Sequence, residues 1–422
     1  MTIQRFESGP RMSQAVTCGD MGYLAGQTAN TTVGAGVTAQ TQEILDTIDR
    51  LLALGWGGPA RAQPATPQAA PQATTSHATT PERVINIYNW SDYIDPRMLD
   101  AFTRETGIRV VYDTYDNNEI LETKLLAGRS GYDLVVPSGP FLQRLIRAQV
   151  FQPLDKAKIP NLVHAWPEVA GRLATYDPGN AYAVDYMWGT TGIGVNLGLV
   201  RERLGAAQPL NTWSLVLNGG LLNKLKDCGV MLLDSPEDLI PSLLPAYGLK
   251  PDTKRWDDIT QVTDALFKVR GAVRKFHSSE YIGGLANGDL CLAVGYSGDV
   301  MQAKKRAEEA KNDVDIAYYV PREGALMWFD AFAIPKDAPH PAEAHAFIDY
   351  MMRPEVAAAN TNFVSYASGN AAAKKFVKAE ILGNPGIYPD DATLQRLFVN
   401  TAWDDRTQRF VTRAWTRVRT GR

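Results

Sequence analysis

The chain has 422 residues, 43 basic and 46 acidic, with a net charge of −3 at pH 7. That length predicts more than one domain, and the near-neutral balance leaves no basic footprint for nucleic acid. No run reaches the roughly 18 apolar residues of a membrane helix. Three Cys (Cys18, Cys228, Cys291) without a CxxC, and five scattered His, offer no zinc spacing.

Three zones differ in texture. Residues 1–57 read as folded, with a strand over Gly22–Asn30 and an amphipathic helix over Thr41–Leu54 that sets Ile44, Leu45, Ile48, Leu51 and Leu52 on one face. Residues 58–83 are nearly all Ala, Pro, Thr and Gln, a composition that buries no apolar face and reads as a linker. Leu51–Gln63, L-L-A-L-G-W-G-G-P-A-R-A-Q, reads in two ways: the tail of a secretory signal, or a helix running into the linker. Whether this chain is exported therefore stays open.

From Arg83 strands and helices alternate. A strand at Val84–Ile87 leads into N-W-S-D-Y. A helix over Pro96–Thr106 stops at Gly107, a strand follows at Ile108–Tyr112, and a helix runs over Asn118–Gly128. Tyr132–Val136 is the next strand. This order predicts a parallel sheet with helices on both faces, which binds ligands beyond the carboxyl ends of its strands. Gly189–Asn196, G-T-T-G-I-G-V-N, lacks the Lys-Ser/Thr of a phosphate loop and reads better as a segment crossing between two lobes. His277–Leu290 reads as a helix leading to the strand C-L-A-V-G-Y.

Four separate segments end an apolar run in aromatic and polar residues: Trp90-Ser91-Asp92-Tyr93, Tyr296-Ser297-Gly298-Asp299, Trp328-Phe329-Asp330 and Tyr366. Buried carboxylates are costly unless paired. Carboxylates beside aromatic faces suit a cation with an apolar body, since the faces attract cations by roughly 0.5–2 kcal/mol each. No GxSxG, HExxH or Cys–His pair proposes catalysis, and a glycosidase reading of the acids lacks supporting motifs.

Two resemblances follow. Residues 1–57 resemble the first half of the YjgF/Rid imine deaminases; the linker stands where that family's second half and catalytic Arg belong, so the likeness implies a truncated fragment. Residues 83–422 resemble the putrescine- and spermidine-binding periplasmic proteins of polyamine ABC transporters. The matching blocks include I-Y-N-W-S-D-Y-I, Y-D-L-V-V-P-S, M-W-G-T-T-G-I-G, F-H-S-S-E-Y-I and N-P-G-I-Y-P. The second resemblance implies an α/β type II periplasmic binding protein of two hinged lobes: 84–188 plus about 309–357, and 189–308 plus about 358–422.

It also implies ligand positions at Trp90, Ser91, Asp92, Tyr93, Ser138, Asp299, Asp330 and Tyr366, and at three departures from the putrescine-type pattern. Asp238 stands where Glu is usual, Tyr296 where Trp is usual, and Trp328 where Phe is usual, which makes spermidine a candidate beside putrescine. Asp299 and Asp330 are expected to hold one ammonium, with Asp238, Asp92, Ser91 and Ser138 at the other end. Cys228 and Cys291 match that family's disulfide. The resemblance implies a periplasmic monomer with no cofactor, metal or catalytic residue, delivering putrescine or spermidine to inner-membrane ABC permease subunits. The alternative is a Rid-type deaminase-related fusion or a regulatory polyamine sensor.

Overall fold

The computed structural model describes residues 83–422, together with the backbone of three strands near the N-terminus. Those strands, Ile3–Ser8, Ser13–Cys18 and Met21–Leu24, form an antiparallel meander in chain order. The expected helix Thr41–Leu54, the linker before Arg83 and most of the strand expected at Gly22–Asn30 lie outside the described residues, and with them most of the Rid-like zone.

In the body of the chain, Val84–Trp90 pairs in parallel with Arg109–Tyr115 on one side and Leu134–Val135 on the other. Ile85 and Ile87 bury on one face of this sheet and Tyr88 on the other, so both faces are covered, as parallel strands require. The helix Pro96–Thr106 has the expected bounds. Asp95 caps it by accepting from the Arg97 amide, Pro96 suits its first turn, and Gly107 ends it at φ 69. The helix expected over His277–Leu290 is shorter, Tyr281–Ala286. Gly288, at φ 79, turns the chain out of it.

One strand joins the lobes. Ala183–Asn196 is buried along its whole length. Its first part pairs antiparallel with Ala325–Ala333, from Ala183↔Ala333 to Thr190↔Met327. Its second part pairs with Leu292–Tyr296, from Thr191↔Tyr296 to Val195↔Leu292, and with Ile316–Tyr319. The glycine-rich G-T-T-G-I-G is thus the crossing itself. A Cβ on Gly192 would lie 2.5 Å from the Tyr318 hydroxyl, so the close approach of that strand requires glycine there.

Beyond the crossing, Leu292–Tyr296, Val230–Leu232 and Lys275–Phe276 form a second parallel set. Its core gathers Trp213, Ile240, Leu266, Tyr281 and Val294, among others. The Cys228–Cys291 disulfide, with Cα atoms 5.6 Å apart, ties the edge of this core.

The cores divide the chain differently from the expected bounds. Ile316 packs with the second lobe, whereas Tyr366, Ile387 and Leu397 pack with the first, and Trp403, Val411 and Trp415 return to the second. Pairing explains both shifts. Ile316–Tyr319 extends the second-lobe half of the crossing strand. Ala367–Ser368 joins its first-lobe half at Trp188 and Met187, and Leu397–Phe398 pairs with Ala325 and Leu326.

Candidate ligand-binding site

Between the lobes lies a cavity of about 520 Å³, open mouth included. Ten of the eleven residues expected at a ligand site line it: Trp90, Ser91, Tyr93, Ser138, Asp238, Tyr296, Asp299, Trp328, Asp330 and Tyr366. Most come from strand ends and helix starts of both lobes, where open α/β sheets place their ligands, and Trp328 and Asp330 from the middle of the strand Ala325–Ala333.

Asp330 sits on the strand Ala325–Ala333, where the register shifts between Asp330 and Ala331. Such a bulge re-aims a side chain. Its carboxyl is buried and accepts from the Ser138 hydroxyl at 2.5 Å and the Tyr93 hydroxyl at 2.8 Å. Asp299 occupies the first turn of the helix Ser297–Glu309, where the helix dipole favours negative charge. It accepts from the hydroxyls of Tyr281 at 2.6 Å and Tyr366 at 2.5 Å. Asp238, in the first turn of Pro236–Leu243, accepts from the Tyr296 hydroxyl at 2.7 Å.

Burial pushes all three carboxyls up, Asp238 and Asp299 to about 6 and Asp330 to about 7, against the tyrosine and serine hydroxyls that hold them down. The cavity therefore gathers three acids that hold their protons more tightly than a solvated carboxyl does.

Aromatic rings make the walls. Trp328 meets Tyr296 and Tyr366 edge to face, at centroid distances of 5.5 and 5.2 Å, and Tyr93 meets Tyr366 at 5.3 Å. Trp90 is held by its Nε1, which donates to the Val136 carbonyl. Two glycines admit these rings. A Cβ on Gly189 would lie 2.6 Å from the Trp328 ring, and one on Gly298 equally close to Tyr366. Trp328 Nε1 and Ser278 Oγ are buried donors without a partner among the described residues.

The structure departs from expectation at two points. Asp92 does not line the cavity. Its backbone adopts φ 55, its side chain is exposed, and its carboxylate pairs with Arg306 Nη2 at 3.1 Å on the other lobe. Ser138 belongs with Asp330 through their hydrogen bond, not with Asp238 at the other end.

Sequence reading missed Tyr115, Asp116, Ser278, Ser279 and Ile282, which also line the cavity. Asp116 Oδ1 accepts from Ser91 at 3.0 Å and, across the cleft, from Ser279 at 3.3 Å. Tyr115-Asp116 ends a parallel strand and Ser278-Ser279 lies in the F-H-S-S-E-Y-I block, so the strand-end rule would have found the first pair.

Comparison with known proteins agrees with this architecture. The family model described as bacterial extracellular solute-binding protein matches residues 97–385. The chain is 48% identical over 340 residues to the putrescine-binding periplasmic protein SpuD of Pseudomonas aeruginosa, covering 81% of this chain and 93% of that protein. It is 48% identical over 342 residues to the putrescine-binding periplasmic protein PotF of Escherichia coli, covering 81% and 92%. Among solved structures it is similar to the spermidine/putrescine substrate-binding protein PotD of Streptococcus pneumoniae, with a TM-score of 0.66 at 28% identity, covering 80% of this chain and 99% of that one. These relatives are binding proteins, in keeping with a site that holds a solute and does not transform it. The chain belongs to the bacterial extracellular solute-binding protein family.

Proposed function

We propose that the chain binds a polyamine, putrescine or spermidine, in the cleft and presents it to the permease of an ABC importer. The observation that carries this reading is the lining itself. Asp238, Asp299 and Asp330 converge on a box of Trp and Tyr rings, and no Lys, Arg or His among the described residues lines it. Such a site repels anions and offers a neutral solute little reason for three buried acids. A diamine matches it at both levels. Its ammonium ends form charge-assisted hydrogen bonds with carboxylates and hydroxyls, and its methylene stem lies against aromatic faces that also attract the charge.

The geometry supports capture by closure. Tyr366, Asp92 and Asp116 on the first lobe each contact the second, at Asp299, Arg306 and Ser279. A hinge in the crossing segments lets the lobes part for entry. The names of the relatives support a periplasmic location; inner-membrane permease subunits as partners and a monomer as the working form are part of the proposal.

Calorimetric titration with putrescine, cadaverine, spermidine and spermine tests the reading. Saturable binding of one ligand per chain by putrescine or spermidine is expected. Absence of heat with all four would overturn it.

A further inference from the structure

Behind the front wall of the cleft lies a second cavity of about 1610 Å³, open mouth included. The strand Ala325–Ala333 separates the two. Side chains alternate across it, so Trp328 faces the cleft and Met327 faces this rear cavity.

Three aromatic residues frame the rear cavity: Trp166, Trp188 and Tyr388. Trp166 and Trp188 lie 6.0 Å apart at 66°, and Trp188 and Tyr388 lie 6.3 Å apart at 88°. The rings thus stand as adjoining walls, not as a stack. Inside is a cation. Lys374 Nζ lies 3.4 Å from the centre of the Trp166 ring and 6.0 Å from that of Tyr388. It forms no ion pair within 4.0 Å among the described residues, although Glu168, which lines the same cavity with Asp391, attracts its charge. Glu168 instead accepts from Trp166 Nε1 at 2.9 Å.

A lysine that serves only to tie a segment down ordinarily ends on a carboxylate or carbonyl. Here the ammonium ends on π faces, the arrangement by which proteins recognise organic ammonium ions. The charges leave room for exchange. Glu168 and Asp391 are balanced by Arg172 and Lys374, so withdrawal of Lys374 leaves one negative charge in excess. Lys374 lies on the short 3-10 turn Ala371–Phe376 beside exposed neighbours, and burial already lowers its ammonium's affinity for its proton.

We propose that this rear cage is a second binding site, for small organic ammonium ions, which the chain's own Lys374 fills in their absence. It is distinct from the cleft, and does not depend on the cleft's ligand being a polyamine.

The test uses the full chain and tetramethylammonium, a probe without N–H groups. Its affinity is measured by calorimetry for the native chain, Lys374→Ala and Lys374→Ala/Trp166→Ala. Emptying the cage is expected to tighten binding at least tenfold, and removing the Trp166 ring is expected to erase that gain. Both variants keep the cleft intact, so any binding there is common to all three proteins. If Trp166→Ala lowers the melting temperature, Trp166→Leu keeps apolar bulk without the π face and serves the same comparison. No gain in Lys374→Ala, or a gain that survives loss of Trp166, would overturn the proposal and leave Lys374 as a structural tie.

Discussion

Tyr366 and Asp299 hold each other twice across the cleft: the Tyr366 hydroxyl donates to Asp299 Oδ1 at 2.5 Å and accepts from the Asp299 amide at 3.0 Å. Tyr366 packs in the first-lobe core, while Asp299 begins a helix of the second. The pair therefore links closure of the lobes to a carboxylate that lines the cleft. Tyr366→Phe keeps the ring and removes both bonds. Hydrogen bonds to charged groups contribute about 1.5–3 kcal/mol, so putrescine affinity should fall by roughly tenfold or more. Unchanged affinity by calorimetry would break the proposed link.

The acids of the cleft make binding pH-dependent. Asp238, Asp299 and Asp330 have raised proton affinity in the empty protein, reaching about 6, 6 and 7. The ionised forms bind the ammonium groups, so affinity should rise with pH up to about 7 and level off above it. The linked effect on the ligand-free protein has the opposite sign. Groups with raised folded values favour the folded state fully below the unfolded value, near 3.9, and that stabilisation is lost as pH rises through about 6 to 7. Titration at pH 6 in buffers of different ionisation heat should report protons released on binding. A binding heat independent of buffer would contradict this.

The rim pair should matter little. Asp92 and Arg306 are both substantially exposed, with side chains 53% and 42% accessible. Exposed pairs contribute at most about 1 kcal/mol, so Asp92→Ala should weaken putrescine binding by less than roughly fivefold. A hundredfold loss would place Asp92 on the ligand after all.

Trp328 should set ligand length. Its indole stands between Tyr296 and Tyr366 and offers a longer flat face than the phenyl ring usual at this position would. Trp328→Phe shortens that face, and should cost spermidine more affinity than putrescine, because the extra methylenes and central amine lose their wall. Equal losses for the two ligands would remove Trp328 from length selection.

The disulfide should act on stability alone. Cys228 and Cys291 are 63 positions apart, which on the chain-entropy model corresponds to about 4 kcal/mol. Neither cysteine lines the cleft. Reduction should lower the melting temperature and leave putrescine affinity within about twofold. A large loss of affinity on reduction would tie this edge of the second lobe to the site.

Much of this was legible in the sequence because its signals are local. Asp95, Pro96 and Gly107 bound a helix by capping chemistry, and strand ends rich in Trp, Tyr and Asp marked the cleft walls. The G-T-T-G-I-G crossing followed from small residues without phosphate-loop chemistry. What escaped depends on distant pairing. Asp92 sits beside Trp90 and Tyr93 in sequence, yet its left-handed backbone sends it to Arg306. Asp116 matters only because Ser279 approaches it from the other lobe. The lobe limits depended on which half of one long strand Ile316–Tyr319 and Ala367–Ser368 would join, and no local pattern in either segment encodes that choice.

The most direct test of the account is the affinity of Asp299→Asn for putrescine, measured by calorimetry beside the native chain, with thermal melting to confirm the fold. The side chain keeps its shape while losing the charge, and its amide nitrogen can no longer accept from one of the two tyrosine hydroxyls. An ammonium left buried without its counter-charge costs about 3–5 kcal/mol, so a loss of at least a hundredfold is expected. Native affinity in the folded variant would contradict the assignment of Asp299 as the ligand's counter-charge, and with it the reading of the cleft as a cation site.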